Sequence, residues 1–118
     1  NEAIAALDEF LARYPNDENA KQAQELRSSA RNKLAMHEVD VARYYSQRHK
    51  WRGAFWRYQR VTERFADTPI AEDALVQAAT LAQDRLGDEE TAHQLWSKYL
   101  QRYPQGKKAP AAQKALLP

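Results

Sequence analysis

Cysteine is absent from this 118-residue chain, so neither a disulfide framework nor a thiolate metal site can exist in it. Glycine occurs three times and proline five, and valine and isoleucine are scarce. That leaves little turn chemistry and little β-branched material for strands, and argues against a sheet. No apolar run is longer than a few residues, so no segment spans a membrane. A signal peptide is not visible. What is abundant is Ala, Leu, Gln, Glu and Arg, the composition of helices. At this length one small domain can bury roughly two-thirds of its unfolded surface. The first residues, "NEAIAALDEFLARYP", already read as the middle of a helical pattern. The expectation is that the native N-terminal part, with any targeting signal or lipid anchor, lies outside this sequence.

A net charge of +2 conceals an uneven distribution. Residues 41–62 hold Arg43, Arg48, Lys50, Arg52, Arg57 and Arg60 and no acid, whereas residues 63–90 hold eight acids and two bases. Solvated helix faces would account for such blocks. An acidic partner for the 41–62 block would account for them equally.

Three segments repeat: "AIAALDEFLARYP" from Ala3, "AFWRYQRVTERFA" from Ala54 and "AHQLWSKYLQRYP" from Ala92. Each sets a small residue, a large one four later and another three after that, then a stop five further on. The sets are Ala3, Leu7, Phe10, Pro15; Ala54, Tyr58, Val61, Ala66; and Ala92, Trp96, Tyr99, Pro104. Offsets of four and seven place these side chains on one helix face. A first helix precedes each of the latter two. For 67–104 the spacing predicts Thr68 as N-cap, Pro69 in the first turn and Gly87 as the terminator. For 16–66 no Gly or Pro interrupts the chain from Asn16 to Arg52, which predicts one over-long helix of about 31 residues, roughly 46 Å. Helix pairs closed by proline resemble tetratricopeptide repeats. The predicted fold is all-α: antiparallel helix pairs stacked as a short solenoid. Its units are 1–15 (the second helix of a truncated repeat), 16–66, 67–104, and a capping helix within 105–118.

Residues 31–75, "RNKLAMHEVDVARYYSQRHKWRGAFWRYQRVTERFADTPIAEDAL", resemble the BamD (YfiO-type) outer-membrane assembly lipoproteins. The matching positions are Leu34, Ala35, His37, Glu38, Val41, Ala42, Tyr44, Tyr45, Ala54, Arg57, Asp67 and Thr68. The chain departs from that family at His49, where the family has glycine, and at Ala66, where it has proline. The tail beyond Gln105 is more similar to tetratricopeptide proteins of the Tol-Pal system. The resemblance implies a periplasmic scaffold, lipid-anchored through a cysteine outside this sequence, in the machinery that inserts β-barrel proteins into the outer membrane. It implies docking of the C-terminal repeats on a POTRA domain of the barrel-forming subunit, contacts with other assembly lipoproteins, and no cofactor.

Catalytic and metal constellations are missing. His37-Glu38 begins like a zinc-protease helix, but position 41 is valine where a second imidazole is required. His49 and His93 read as turn or surface residues. Glu72-Asp73 and Glu89-Glu90 fall at predicted helix starts, where acids favour the dipole. In "HKWRGAFWRYQRVTERF", Trp51, Ala54, Phe55, Tyr58, Val61 and Phe65 form one stripe, predicted to pack on Val41, Tyr44 and Tyr45. Lys50, Arg52, Arg57 and Arg60 then point away, and Trp56 falls off the stripe. Nucleic acid would need these aromatics free for stacking, and a membrane helix would need its apolar face free. The predicted partner-binding set is therefore Arg43, Arg48, Lys50, Arg52, Trp56 and Arg57, for carboxylates of a protein partner. Two rival readings are a periplasmic adaptor holding a peptide in its groove and an RNA-associated repeat protein with a steep salt dependence.

Overall fold

Six helices and no strand make up the computed structural model, which describes residues 1–118: α1 (Glu2–Arg13), α2 (Ala20–Gln47), α3 (Trp51–Arg64), α4 (Ala71–Asp84), α5 (Glu89–Arg102) and α6 (Ala109–Ala115). Each helix packs against its neighbour in sequence, giving the expected tetratricopeptide-like solenoid of 52 × 32 × 19 Å. Helix α2 is 28 residues long and unbroken, including at Met36-His37. It is slightly shorter than predicted, because Asn19 and Arg48 already leave helical geometry. Helix α6, seven residues, closes the C-terminal end with Ala109 and Ala112 buried.

The three connections that lead out of a second helix are built alike. An aromatic residue caps the helix through its amide: Tyr14 to Phe10 (2.8 Å), Phe65 to Val61 (2.9 Å), Tyr103 to Tyr99 (2.7 Å). Three residues later an amide donates back to the aromatic carbonyl: Asp17 to Tyr14, Thr68 to Phe65, Gly106 to Tyr103. Three residues later again a buried alanine starts the next helix: Ala20, Ala71, Ala109. A side chain as small as alanine lets the following helix cross close to the one just finished. This geometry corrects the predicted N-cap. Thr68 is buried inside the connection, its hydroxyl donating to the Phe65 carbonyl (2.6 Å), and α4 begins after Ile70. Gly87 does sit past the end of α4 in the left-handed region (φ +63°), as a terminating glycine should.

One apolar cluster runs from the second half of α2 to α6. Its largest fully buried side chains include Tyr99, Leu75, Val39 and Val61. Ala54, Tyr58 and Val61, and likewise Ala92, Trp96 and Tyr99, are buried as the repeat predicts. Tyr99 also closes a polar lock: its hydroxyl donates to Glu72 (2.8 Å) and accepts from the Lys108 amide (3.0 Å). Burial and the Glu72 carboxylate together push that hydroxyl's pKa up. Gly106 leaves the room this lock needs, since a Cβ there would run into the Tyr99 hydroxyl.

Two packing expectations need correcting. Helix α2 meets the α3 stripe through Ala35, Val39 and Ala42, with Tyr45 partly buried, whereas Tyr44 stands 51% exposed. Small side chains at the crossing bring α2 and α3 together and turn Tyr44 to the far side. In α1, Leu7 and Phe10 are only half-buried and Ala3 is exposed. Their counterparts in α3 and α5 lie between two helices.

Candidate functional site

The second half of α2, from Leu34 to Gln47, and helix α3 lying against it supply the two walls of the site.

The two walls meet along a line of close contacts. The face of Gly53 lies against the Tyr45 ring, where even a Cβ would be 3.4 Å away. Next along it, the Arg57 guanidinium donates to both oxygens of Glu38 (3.1 and 3.3 Å), and Arg60 approaches the same carboxylate at 3.6 Å. Glu38 is 9% exposed. A carboxylate this deep loses most of its water, and two cations beside it offset that loss. The Nε of Arg60 is buried without an acceptor in hydrogen-bonding geometry.

Above this line lies an exposed aromatic–arginine layer. Trp56 is 53% exposed, with the guanidinium of Arg60 4.8 Å and that of Arg57 5.6 Å from its ring centroid. On α2, the Arg48 guanidinium lies 3.5 Å from the centroid of Tyr44. Cations held over aromatic faces are positioned at little entropic cost before any partner arrives. Arg52, Trp56 and Arg60 follow one another at four-residue spacing, so they form a single row along α3.

The predicted residues separate in the structure. Arg52, Trp56 and Arg57 lie together on α3, whereas Arg48 sits at the end of α2 over Tyr44. Arg57 does not point away from the core as expected, because it folds back onto Glu38 and is half-buried. Arg43 is elsewhere: it points to Asp40 (3.9 Å) and lies near Tyr58, on the opposite flank of α2. Lys50 is exposed at the start of α3, outside the aromatic layer. Tyr44 and Glu38 were not in the predicted set, and Arg60 was noticed only as a surface cation. The Arg52–Trp56–Arg60 row was readable from spacing alone. The grip of Glu38 on arginines 19 and 22 positions away was not. Chemically, the surface can bind carboxylates and bury aromatic area. It presents no nucleophile–base pair, no group of three His, Asp or Glu side chains able to hold a metal ion, and no helix long and apolar enough to cross a membrane.

Comparison with known proteins agrees on one family. The YfiO model, "Outer membrane lipoprotein", matches residues 1–99. The outer membrane protein assembly factor BamD of Vibrio cholerae is 33% identical over 73 residues, covering 62% of this chain and 30% of that protein. The factor of the same name from Xylella fastidiosa is 34% identical over 65 residues, 55% of this chain and 22% of that protein. The matched stretch is thus under a third of either relative, and α6 lies beyond the family match.

Proposed function

The chain belongs to the YfiO family of outer membrane lipoproteins, and on that premise we propose that it is a non-enzymatic scaffold of the machinery that assembles β-barrel proteins in the outer membrane. It works at the periplasmic face of that membrane. Its partners are proteins: POTRA domains of the barrel-forming subunit and other lipoproteins of the assembly. The matched relatives bear the name of an assembly factor. The observation that carries the binding site is Trp56, an exposed tryptophan held between arginines, while Tyr58 of its helix is buried and Trp51 and Phe55 are partly buried against the core. Large aromatics and arginines of this kind are the side chains that dominate protein interfaces. Arg48, Arg52, Arg57 and Lys50 steer an acidic partner face, and Trp56 adds desolvated area once it docks.

A second reading draws on the groove between α4 and α6, about 470 Å³, floored by Val76, Trp96 and Ala111 and edged by Asp84, Lys108 and Lys114. A Tol-Pal-type adaptor would hold a peptide there. Reversing the charge of Arg48 and Arg52 together separates the two. Under the scaffold reading the double variant loses most of its capture of the barrel-forming subunit's POTRA region in a pull-down, with unchanged helical circular dichroism. Undiminished capture by that variant, with capture lost on Lys114→Glu, would favour the groove.

A further inference from the structure

Resting on the scaffold reading, we propose that Arg60 is the residue that receives a carboxylate of the protein partner, and that Glu38 and Arg57 are positioning residues that hold it in place. The charges around Glu38 do not balance. Two guanidiniums meet one carboxylate, so the trio keeps one unit of positive charge. The two arginines share that carboxylate unequally. Arg57 donates to both of its oxygens, at 3.1 and 3.3 Å. Arg60 approaches at 3.6 Å without forming a hydrogen bond to it, and its buried Nε is left without an acceptor. Glu63, three residues along α3, is exposed and does not come within ion-pairing distance of Arg60. Glu38 is thus matched by Arg57, and Arg60 carries the surplus charge.

A surplus charge in this setting attracts an acid more strongly than one in open water. The Arg60 side chain is 28% exposed, against 54% for Arg43, so it has less water left to lose on docking. Coulombic attraction rises as water is excluded. Trp56 supplies the exclusion: its ring centre lies 4.8 Å from the Arg60 guanidinium, and an apolar side chain laid on it would close the pair off from solvent. The positioning is done from behind. The double hydrogen bond of Arg57 to Glu38 ties α3 to α2, and Arg60 follows Arg57 by three residues on the same side of the helix. A guanidinium held beside a fixed carboxylate and an aromatic ring has little freedom left to lose when its ligand arrives. With Nε buried, an incoming carboxylate would meet the two terminal nitrogens, end-on, in the fork that a guanidinium offers. The partner segment that fits therefore pairs an Asp or Glu with a neighbouring apolar side chain for Trp56.

Binding kinetics of the full-length lipoprotein on the barrel-forming subunit's POTRA region test this. Arg60→Gln should weaken binding by about tenfold or more, mainly through faster dissociation, with helicity unchanged. Glu38→Gln should weaken binding on its own yet add nothing in the Arg60→Gln background, because it acts through Arg60. A full further loss in that background would overturn the positioning role, and Arg60→Gln alone decides the contact if Glu38→Gln lowers helicity. Wild-type affinity in Arg60→Gln would overturn the assignment, including the case in which an acid from another part of the chain already holds Arg60. If Trp56→Ala still weakens binding in that event, the scaffold reading stands. Wild-type affinity in both Arg60→Gln and Trp56→Ala would overturn both.

Discussion

The two halves of helix α2 share one backbone and differ in surroundings. From Ala20 to Lys33 the helix has α1 on one flank, and only Ala20 and Ala23 are buried. From Leu34 to Gln47 it has α3 beside it and the α4 end of the core below, and Ala35, Glu38, Val39 and Ala42 are buried. Leu26 in the first half is 54% exposed, whereas Ala35 in the second is fully buried. Hydrophobicity alone would have ranked them the other way. Burial along a solenoid follows the number of neighbouring helices. Within these 118 residues a well-packed block runs from mid-α2 to α6, and α1 packs on α2 alone, as an arm of that block.

The largest expected effect tests that division directly. Leu75→Ala, in the block, should lower unfolding free energy by about 3–5 kcal/mol. Ile4→Ala, a similar loss of buried atoms in the arm, should leave the block's urea midpoint within about 0.5 kcal/mol of wild type while sharply raising amide exchange in α1. Trp51, Trp56 and Trp96 all belong to the block, so their fluorescence reports on it alone. Equal shifts from both substitutions would mean one cooperative unit and no separate arm.

His49 offers a smaller effect, within the block. It holds φ +58° at the turn between α2 and α3, a conformation that costs any residue with a Cβ. Its imidazole stacks on Trp51 (4.9 Å between centroids), a contact that glycine would lose. His49→Gly should still gain about 0.5 kcal/mol in a thermal melt, because relief of the left-handed backbone outweighs one exposed stack. A loss of stability would mean that the stack matters more than the backbone.

The smallest effect concerns the joint between arm and block. Arg31 reaches from α2 to Asp67 and to the Arg64 carbonyl in the α3–α4 connection, and its guanidinium lies 5.0 Å from the centre of the Phe65 ring. The hydrogen bond from Arg31 holds the Asp67 carboxyl below the usual carboxylate pKa. A group depressed in the folded state adds stability above its unfolded pKa and loses it as the pH falls through the folded value. The contribution is therefore complete at neutral pH and fades in acid below the ordinary carboxylate range. Asp67 is half exposed, so the magnitude is about 0.3 kcal/mol. Asp67→Asn should flatten the acid limb of the stability–pH curve by that amount and no more.

Much of this fold was legible because helix signals are local. Ala54, Tyr58 and Val61 announce their face by spacing, and the absence of breakers between Asn16 and Arg52 announces α2. The connections were harder. Pro15 and Pro104 look like the stops, yet the recurring elements are an aromatic at 14, 65 and 103 and an alanine six residues on, repeated three further along at Ala23, Ala74 and Ala112. Thr68 resembled an N-cap because threonine often is one, and a buried hydroxyl bonded backwards to Phe65 cannot be told from it in sequence. At the site, Trp56 was legible as the aromatic off the stripe. Tyr44 was misplaced because two adjacent tyrosines point about 100° apart on a helix and only the phase of the crossing decides which is buried. The ties of Glu38 to Arg57 and Arg60 exist only after α3 folds back on α2.

Titration calorimetry of the barrel-forming subunit's POTRA region against the full-length lipoprotein tests the central claim, that the surface between α2 and α3 left over by the core is where a partner docks. Trp56→Ala should weaken binding by about 30-fold or more, the effect of a central aromatic anchor, and Arg43→Ala, on the opposite flank of α2, should leave it unchanged. Full affinity in the Trp56 variant, or a loss confined to the Arg43 variant, would contradict it.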